Sequence, residues 1–301
     1  MFSKMTFPLT NRQQNGVIAV IDVGSNSVRL LLSRNGVTLF KGVKITRLAE
    51  GVLTSGLLNH NAITRSVNAI KEFIDYAKSK GAIEFYIFAT AGVRQAKNGK
   101  DFTDKVKEEC GVIVDVISGD TEAKIGALGA LNGNNGGLID IGGASTEITV
   151  LEHGETVYSK SVNVGAVRLC EFYDGNFDNL NSYLDDILEQ FSTFPKTQFT
   201  AIGGTATSIV SILLKLSPYD PNRVDGFRLE KSNVLTVVKD LFSMTLEQRK
   251  NLVGLQPERA EIMPFGALIL YKIMLKFNLD FITVSEKDNL EGYLKLITEK
   301  L

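Results

Sequence analysis

A chain of 301 residues with 44% hydrophobic and 22% charged residues has the composition of a folded globular protein, and its length favours two hydrophobic cores over one. The formal net charge of −1 excludes a positive field over the whole molecule that would coat a nucleic acid polymer, so an anionic ligand must be bound by a local cluster of Arg, Lys and backbone N–H groups. The two cysteines, Cys110 and Cys170, lie far apart and indicate buried thiols in a reducing compartment.

No apolar run reaches membrane-spanning length, and the polar N-terminal stretch that contains Pro8 does not resemble a signal peptide. We therefore expect a cytoplasmic protein without a membrane partner. Neither His60 nor His153 has a partner at metal-ligand spacing, which argues against a zinc centre.

The first half of the chain predicts a mixed sheet with helices on its faces. Three runs rich in β-branched residues predict a strand meander over 17–22, 27–33 and 37–45. The apolar period then becomes helical over 61–80, with Gly81 at the C-cap position. The remaining elements are a strand at 83–90, a helix at 101–110, a strand at 111–118 and a helix at 121–131 that is capped near Asp120.

The second half begins with the same pattern and then becomes mostly helical. Its meander covers 137–141, 145–152 and 156–164. A strand at 199–204 runs directly into a helix that starts near Thr205. The other predicted elements are helices at 166–174 and 178–192, helical patterns over 230–277 that include an amphipathic helix at 258–270, a strand at 281–285 and a closing helix at 288–300.

One phrase of the sequence occurs twice, once in each half. IDVGSNSVRL at 21–30 returns as IDIGGASTEI at 139–148, with Ile, Asp, Gly and Ser at matching places in similar apolar frames. A repeated turn between two strands indicates two half-molecules, and the Gly/Asn-rich segment LNGNNGG is the expected connection between them. We therefore predict two domains, 1–130 and 131–301, with the final helix at 288–301 able to pack back on the first.

Each copy of the repeat ends a strand with an aspartate and then turns on small residues. Small side chains allow the backbone to approach an anion closely, and the successive N–H groups of such a turn form a nest that suits phosphate oxygens. An aspartate beside a phosphate requires a divalent cation between them, and Mg²⁺ is the hard cation that prefers oxygen ligands. The alternative is two ordinary hairpins in which Asp and Gly only favour turns. The aspartates are Asp22 and Asp140, and the predicted phosphate-binding residues are Gly24, Ser25, Asn26 and Ser27 in the first turn and Gly142, Gly143, Ala144 and Ser145 in the second.

A third Gly-rich turn, IGGTATS at 202–208, joins a strand to a helix. The N–H groups of Gly204 and Thr205, together with the positive end of the helix, would meet an anion there. The sequence contains no G-x-x-x-x-G-K-[ST] motif and no G-x-G-x-x-G motif after a strand, so this turn is not a known nucleotide loop. On its own it is a weak indication of phosphate binding.

Six stretches keep the motifs and the order of one known family. They are IDVGSNSVRLLL, ATAGVRQAKN, SGDTEAKIGALGA, DIGGASTE, VGAVRL and AIGGTATS. With these motifs the chain resembles the exopolyphosphatase and guanosine pentaphosphate phosphatase family of the actin-like ATPase superfamily. The resemblance implies an α/β fold in which two ribonuclease H-like domains face each other across a cleft, in the short form of the family without its additional helical C-terminal region.

The resemblance also implies roles for individual residues. Glu122 occupies the position of the family's proposed base, which prepares a water molecule for attack on a terminal phosphate, and Arg94 occupies that of its substrate-contacting arginine. Asp22, Glu122 and Asp140 would share a Mg²⁺ ion with that phosphate, and Glu147 fits a family pattern in which it supports the site. From the residues alone, Glu122 could instead be an exposed carboxylate in a first helical turn, Arg94 a solvated loop residue and Glu147 a salt-bridge partner.

The chain departs from the family pattern at two places. Ala144 stands where the family commonly has glycine, which slightly narrows the second turn. The family's Gly-Leu-Arg before Glu291 reads Asp-Asn-Leu in this chain. This departure calls into question a positive contact at that place, and with it a preference for very long phosphate chains.

We expect a Mg²⁺-dependent phosphohydrolase that releases terminal phosphate from inorganic polyphosphate and, as a second substrate, from guanosine pentaphosphate. Two alternatives stay open: an ATP-dependent kinase of a small molecule in the same superfamily, and a non-catalytic sensor of polyphosphate or of an alarmone nucleotide. The sequence does not determine which substrate is preferred, nor the oligomeric state, for which a homodimer is one option.

Overall fold

The computed structural model describes residues 16–298, which form two mixed β-sheets with helices packed against them. The interpretation of the polar N-terminal stretch falls on residues 1–15, outside the described part of the chain. No helix within residues 16–298 is long and apolar enough to cross a membrane. Cys110 and Cys170 are both free and only partly buried, so the expectation of buried thiols was wrong.

The first sheet consists of β1 (Val17–Val23), β2 (Ser27–Arg34), β3 (Val37–Ile45), β4 (Ala82–Ala89) and β5 (Val114–Val116). Its strand order is β3-β2-β1-β4-β5. The first three strands are antiparallel neighbours and form the predicted meander, whereas β4 runs parallel to β1 and β5 parallel to β4. Because Val23 pairs with Val28, the turn between β1 and β2 is limited to residues 24–27.

The helices of this half are α1 (Val52–Ser55), α2 (His60–Ser79), α3 (Ala91–Arg94), α4 (Gly99–Cys110) and α5 (Gly119–Ala130). The long amphipathic helix α2 was predicted correctly, and it begins after Asn59, whose side chain accepts a hydrogen bond from the N–H of Asn61 at 2.8 Å. The predicted start of α5 was too late. Ser118 is its N-cap, with Oγ accepting the N–H of Thr121 at 3.1 Å, and Asp120 lies inside the first turn.

The second sheet consists of β6 (Gly136–Ile141), β7 (Thr146–Glu152), β8 (Glu155–Val162), β9 (Phe199–Ile202), β10 (Phe227–Glu230) and β11 (Phe281–Val284). Its strand order is β10-β11-β9-β6-β7-β8. From β8 to β11 this order repeats that of the first sheet, with the same antiparallel and parallel pairs, and β10 is added as an antiparallel edge strand. The turn between β6 and β7 again has four residues, 142–145, because Ile141 pairs with Thr146.

The helices of this half are α6 (Ala166–Phe172), α7 (Phe177–Leu188), α8 (Gly203–Leu213), α9 (Pro221–Val224), α10 (Lys231–Ser243), α11 (Leu246–Lys250), α12 (Met263–Lys276) and α13 (Asn289–Thr298). The helix predicted over 258–270 begins only at Met263, after a short 3-10 turn. Pro264 accounts for this start, since proline fits the first turn of a helix but not its interior.

Each sheet has its own hydrophobic core, and the last helix connects the two halves. Leu290, Tyr293 and Leu294 of α13 pack against Val20 and Phe88 of the first sheet. Helix α5 lies beside α13 and also contacts the second sheet through an apolar cluster. The proposed domain boundary therefore follows a helix that packs on both sheets, and the division of the chain at this point stays a proposal.

Candidate active site

The two repeated turns meet at a cleft between the sheets. A Cβ atom added to Gly143 in the second turn would lie 2.8 Å from the Cβ atom of Ser25 in the first. The cleft contains about 690 Å³ of open space. Of the predicted site residues, all except Arg94 and the supporting Glu147 line it: Asp22, Gly24, Ser25, Asn26, Ser27, Glu122, Asp140, Gly142, Gly143, Ala144, Ser145, Gly204 and Thr205. The assignment of phosphate and metal roles to these residues stays a prediction.

Both turns are closed by the same internal hydrogen bond. The N–H of Gly24 donates to the carbonyl oxygen of Ser27, and the N–H of Gly142 donates to that of Ser145, at 3.0 Å in each case. The sequence repeat is therefore also a repeat of backbone geometry.

The middle carbonyl groups of the turns are bound by the chain that follows each meander. The oxygen of Ser25 accepts the N–H of Ala49, and the oxygen of Gly143 accepts the N–H of Val167, both at 2.9 Å. Several middle N–H groups of the turns, by contrast, have no protein acceptor within residues 16–298, and N–H groups in this state are available to an anion. These are the N–H groups of Ser25, Asn26, Gly143 and Ala144.

The N-terminus of α8 borders the same cleft. Gly203 adopts a positive φ of 80°, and a Cβ atom there would lie 2.9 Å from Oδ1 of Asp140. A Cβ atom on Gly204 would lie 1.9 Å from Nη1 of Arg259. The two glycines thus let the helix start close to both a carboxylate and a guanidinium, and its free N–H groups and dipole add positive potential to the cleft.

Glu122 is a buried carboxylate in the first turn of α5, with 7% of its surface exposed. Arg94 Nη1 donates a hydrogen bond to Glu122 Oε2 at 3.0 Å. Burial raises the pKa of Glu122 and the charge of Asp22 raises it further, while Arg94 opposes the change only in part. The alternative interpretation of Glu122 as an exposed, solvated carboxylate was therefore wrong.

The resemblance implies that Arg94 contacts the substrate, but the side chain of Arg94 does not line the cleft. Its Nη1 atom donates to Glu122 and also to the carbonyl oxygen of Ile117 at 2.8 Å, and these two bonds turn the guanidinium toward α5. Arg94 therefore holds Glu122 in this structure. Its direct contact with substrate stays a prediction.

Asp22 and Asp140 are held by different partners on opposite walls of the cleft. Asp22 accepts a hydrogen bond from Nε of Arg29 at 2.9 Å, and its Oδ1 atom is buried with no hydrogen-bond partner within the described chain. Asp140 accepts a hydrogen bond from Nδ2 of Asn289 at 3.0 Å. Burial raises the pKa of Asp22, and burial together with the charge of Glu122 raises the pKa of Asp140 to about 7. Burial is the main cause of both shifts, and Arg29 offsets it only in part at each carboxylate.

The fit of this site to a metal ion can be tested on its carboxylates. Within residues 16–298, no three His, Cys, Asp or Glu side chains are grouped closely enough to hold a metal ion by themselves. Asp22, Glu122 and Asp140 nevertheless line one cleft, and Asp22 has an unsatisfied oxygen. Mg²⁺ fits such a site because it usually keeps several waters and binds through one or two carboxylates together with substrate phosphates.

Glu147 lies next to Asp140, because the two residues are paired across β7 and β6. It accepts a hydrogen bond from Oγ of Ser161 at 2.6 Å and is buried. Burial and the charges of Glu122 and Asp140 raise the pKa of Glu147 well above its usual range. Glu147 has no basic partner within residues 16–298, so a supporting role fits it better than the alternative of a salt bridge.

The cleft residues that the sequence reasoning missed include three with long polar or charged side chains: Arg29, Arg259 and Asn289. Arg29 carried a signal, because it is a charged residue within the apolar strand after the first repeated turn. Arg259 is bound to Oε1 of Gln256 through Nε at 3.0 Å, and no carboxylate within residues 16–298 pairs with it. Burial, followed by the charge of Arg29, lowers the pKa of Arg259 to about 10, which leaves it a cation at neutral pH.

Two sheets that share one strand order and meet at a cleft through their repeated turns have the α/β architecture that the resemblance to the actin-like ATPase superfamily implies. The predicted fold class is thereby confirmed. The Ppx/GppA phosphatase family matches residues 31–299, and the chain belongs to this family, as its motifs predicted.

Three sequence relatives illustrate the range of the family. The bifunctional 3-dehydroquinate synthase/phosphatase of Fusobacterium nucleatum is 30% identical over an alignment of 311 positions, and the match covers 93% of this chain and 46% of that protein. The guanosine-5'-triphosphate,3'-diphosphate pyrophosphatase of Photobacterium profundum is 26% identical over 306 residues, which cover 94% of this chain and 59% of that protein. Exopolyphosphatase 2 of Mycobacterium tuberculosis is 28% identical over 309 residues, which cover 91% of this chain and 96% of that protein. The chain thus spans about half the length of the first two relatives and nearly all of the third.

A solved structure agrees with these similarities. The crystal structure of the Ppx/GppA family member of Aquifex aeolicus has a TM-score of 0.76 and 26% identity, and the match covers 95% of this chain and 98% of that one. Two of these relatives, the exopolyphosphatase and the guanosine pyrophosphatase, have the names of phosphoanhydride hydrolases, and this chain belongs to the same phosphatase family.

Proposed function

We propose that this chain removes the terminal phosphate from inorganic polyphosphate, with guanosine pentaphosphate as a second substrate. The observation that carries the proposal is the meeting of two Gly-rich turns and the buried carboxylate of Glu122 at one cleft. The relatives named exopolyphosphatase and guanosine pyrophosphatase support the choice of these substrates.

In the first step, the terminal phosphate binds between the two turns. The free N–H groups of Ser25 and Asn26 donate from one wall, and those of Gly143 and Ala144 donate from the other. Arg259 adds a positive charge that no carboxylate within residues 16–298 neutralises. Donors that are already in place cost no reorganisation when charge develops on the phosphate oxygens, which is why such turns favour the transition state.

In the second step, Glu122 accepts a proton from a water molecule whose oxygen attacks the terminal phosphorus. The bond from that phosphorus to the bridging oxygen breaks, and the shortened chain leaves with the electron pair while orthophosphate is formed. Arg94 orients the carboxylate through its 3.0 Å hydrogen bond. The raised pKa of Glu122 brings it closer to neutral pH, where a general base is most effective.

The aspartates would complete the site with a cation. Mg²⁺ held by Asp22, Glu122 and Asp140 would neutralise charge on the phosphate oxygens. The hydrogen bonds from Arg29 to Asp22 and from Asn289 to Asp140 keep the two carboxylates on opposite walls. Glu147 pairs with Asp140 across the two strands and accepts a hydrogen bond from Ser161, and it would support this wall of the site.

The test is phosphate release from long polyphosphate, tripolyphosphate, guanosine pentaphosphate and ATP, each with Mg²⁺ and with a chelator. We expect release from the polyphosphates and the guanosine nucleotide with Mg²⁺ only. Replacement of Glu122→Gln should lower kcat by about 100-fold or more, the usual loss when a general base is removed. Asp120→Asn is the matched control, because Asp120 is exposed in the same helical turn and should be dispensable.

Three results would contradict the proposal. No release from any substrate by the wild-type protein would exclude the hydrolase, and tight binding without turnover would identify a sensor. Transfer of phosphate from ATP to a small acceptor would identify a kinase. Equal activity of the Glu122→Gln and Asp120→Asn variants would remove Glu122 from the mechanism.

A further inference from the structure

A larger groove continues from the cleft on the side of β3. It contains about 1720 Å³ of open space and shares Arg29, Gly203, Gly204 and Arg259 with the cleft. Its other walls are β3, the region around α8 and α9, and residues 285–291 before and at the start of α13. If the terminal phosphate lies between the two turns, the following phosphates of the same substrate extend into this groove.

The charges that line the groove are balanced. A linear polyphosphate gains a negative charge with every added unit, so a groove that binds a long chain needs an excess of free basic groups. This groove has equal numbers of acidic and basic side chains. The basic ones are Arg29, Lys41, Arg259 and Lys287, and the acidic ones are Asp225, Glu286, Asp288 and Glu291.

Two of the basic side chains are already occupied by carboxylates. Arg29 forms ion pairs with both Asp22 and Asp288. Lys41 forms an ion pair with Glu291 at 2.9 Å and donates a hydrogen bond to the carbonyl oxygen of Glu286 at 2.7 Å. Arg259 is the basic residue next to the turns that no carboxylate occupies within residues 16–298.

Asp288 is held in the position from which its carboxylate pairs with Arg29. It is buried at the start of α13, and its Oδ1 atom accepts the N–H of Leu290 at 2.9 Å. Although burial raises the pKa of Asp288, Arg29 and Lys41 more than offset this and hold it below the usual range, so the carboxylate stays charged. Leu290, which stands where the family motif has arginine, is only 1% exposed and packs in the α13 cluster, so it adds no positive charge to the groove.

We infer that Asp288 is a positioning residue that determines substrate length: it occupies Arg29 and thereby restricts efficient binding to substrates with a short run of phosphates. Glu291 acts in the same way on Lys41. The inference rests on the proposed function of the adjoining cleft. It adds a specificity that the hydrolytic residues alone do not define.

The test compares kcat/KM for inorganic tripolyphosphate and for long-chain polyphosphate in the wild type and in two variants. Asp288→Asn keeps the side-chain shape but removes the carboxylate from Nη1 of Arg29, while Asp22 continues to bind the other side of the guanidinium. Glu291→Gln removes the carboxylate that pairs with Lys41. We expect each to raise the long-to-short ratio of kcat/KM, by about ten-fold for Asp288→Asn, since a released cation can form a charge-assisted hydrogen bond with a further phosphate. The rise should come from a lower KM for the long substrate. Because both substrates are measured on one preparation, partial loss of folded protein cancels in the ratio.

Asp225→Asn is the matched control. It also removes a negative charge from the groove, but Asp225 accepts a backbone N–H from Glu286 and pairs with no cation within the described chain. The inference predicts an unchanged ratio for this variant. A ratio that stays unchanged in both Asp288→Asn and Glu291→Gln, or one that rises equally in Asp225→Asn, would overturn it. A wild-type protein that is inactive on both substrates would instead contradict the proposed function.

Discussion

The guanidinium of Arg259 lies against Gly204 at the start of α8, where the cleft opens into the groove. Arg259 is partly buried, and no carboxylate within residues 16–298 pairs with it. A partly buried charge is unfavourable unless an opposite charge neutralises it. The position of this charge beside two sets of free N–H groups supports the proposed anion site. The guanidinium of Arg259 occupies the space that a side chain at residue 204 would need.

This close contact leads to a prediction for Gly204→Ala. The added Cβ atom would lie 1.9 Å from Nη1, so the guanidinium must move away from the cleft. We expect KM for tripolyphosphate to rise roughly ten-fold, as for the loss of a hydrogen bond to a charged group, with little change in Tm. Steady-state kinetics of Gly204→Ala, Arg259→Gln and the double variant provide the measurement.

The double variant distinguishes the mechanism from a general disturbance of α8. If Gly204→Ala acts through Arg259, the double variant should be no worse than Arg259→Gln alone. Additive losses, or an unchanged KM in Gly204→Ala, would contradict this role of the glycine.

The residues of the two turns could be predicted from the sequence because a repeated pattern of Asp, Gly and Ser stands in adjacent positions of the chain. Arg259 could not be predicted in this way. It reaches the cleft only because the segment before α12 folds back over α8, and a single arginine on an irregular segment has no local signature. Arg94 was found by its motif, but its orientation toward Glu122 depends on the later position of α5.

At the scale of elements, the contact between α5 and α13 depends on glycine. A Cβ atom on Gly292 would lie 1.6 Å from the carbonyl oxygen of Ile125, and one on Gly129 would lie 2.0 Å from that of Asp288. Both clashes are with backbone, which cannot rotate away. The absence of side chains at these two positions therefore sets the distance between the helices, and through it the position of Asp288.

We therefore expect Gly292→Ala to destabilise the protein by about 1–3 kcal/mol, the usual range for overpacking a core, or to displace α13. Gly119→Ala is the control, because a Cβ atom there would have its nearest neighbour at 3.8 Å, an ordinary contact. Urea unfolding monitored by circular dichroism measures both variants. Equal stability of the two would show that the helices can separate without cost.

The strand meanders and α2 could be predicted because their apolar periods are clear. The start of α12 could not be predicted correctly, because this helix is buried on nearly all sides and its apolar residues show little helical periodicity. The short strand β10 and helix α9 were also missed. Each has four residues, which is too few for a periodic pattern to distinguish strand, helix and loop.

At the scale of the whole molecule, the start of α13 links the two halves at the site itself. Asp288 pairs with Arg29 on β2, and the next residue, Asn289, donates to Asp140 on β6. Surface pairs such as Arg47 with Glu261, at 2.7 Å but more than a third exposed, contribute only about 0–1 kcal/mol. The buried helix pair and these site contacts therefore set the arrangement of the halves. The sequence repeat predicted two similar halves, but the polar contacts that orient them involve side chains far apart in the chain.

The most direct measurement is a crystal structure of the Glu122→Gln variant with tripolyphosphate and Mg²⁺, since this variant should bind the substrate without hydrolysing it. The central claim is that one terminal phosphate is held from both sides. We predict that it lies within hydrogen-bond distance of N–H groups in both turns, 24–27 and 142–145, with residue 122 facing a water molecule beside it. A terminal phosphate bound by one turn only, or bound outside the cleft, would contradict the account.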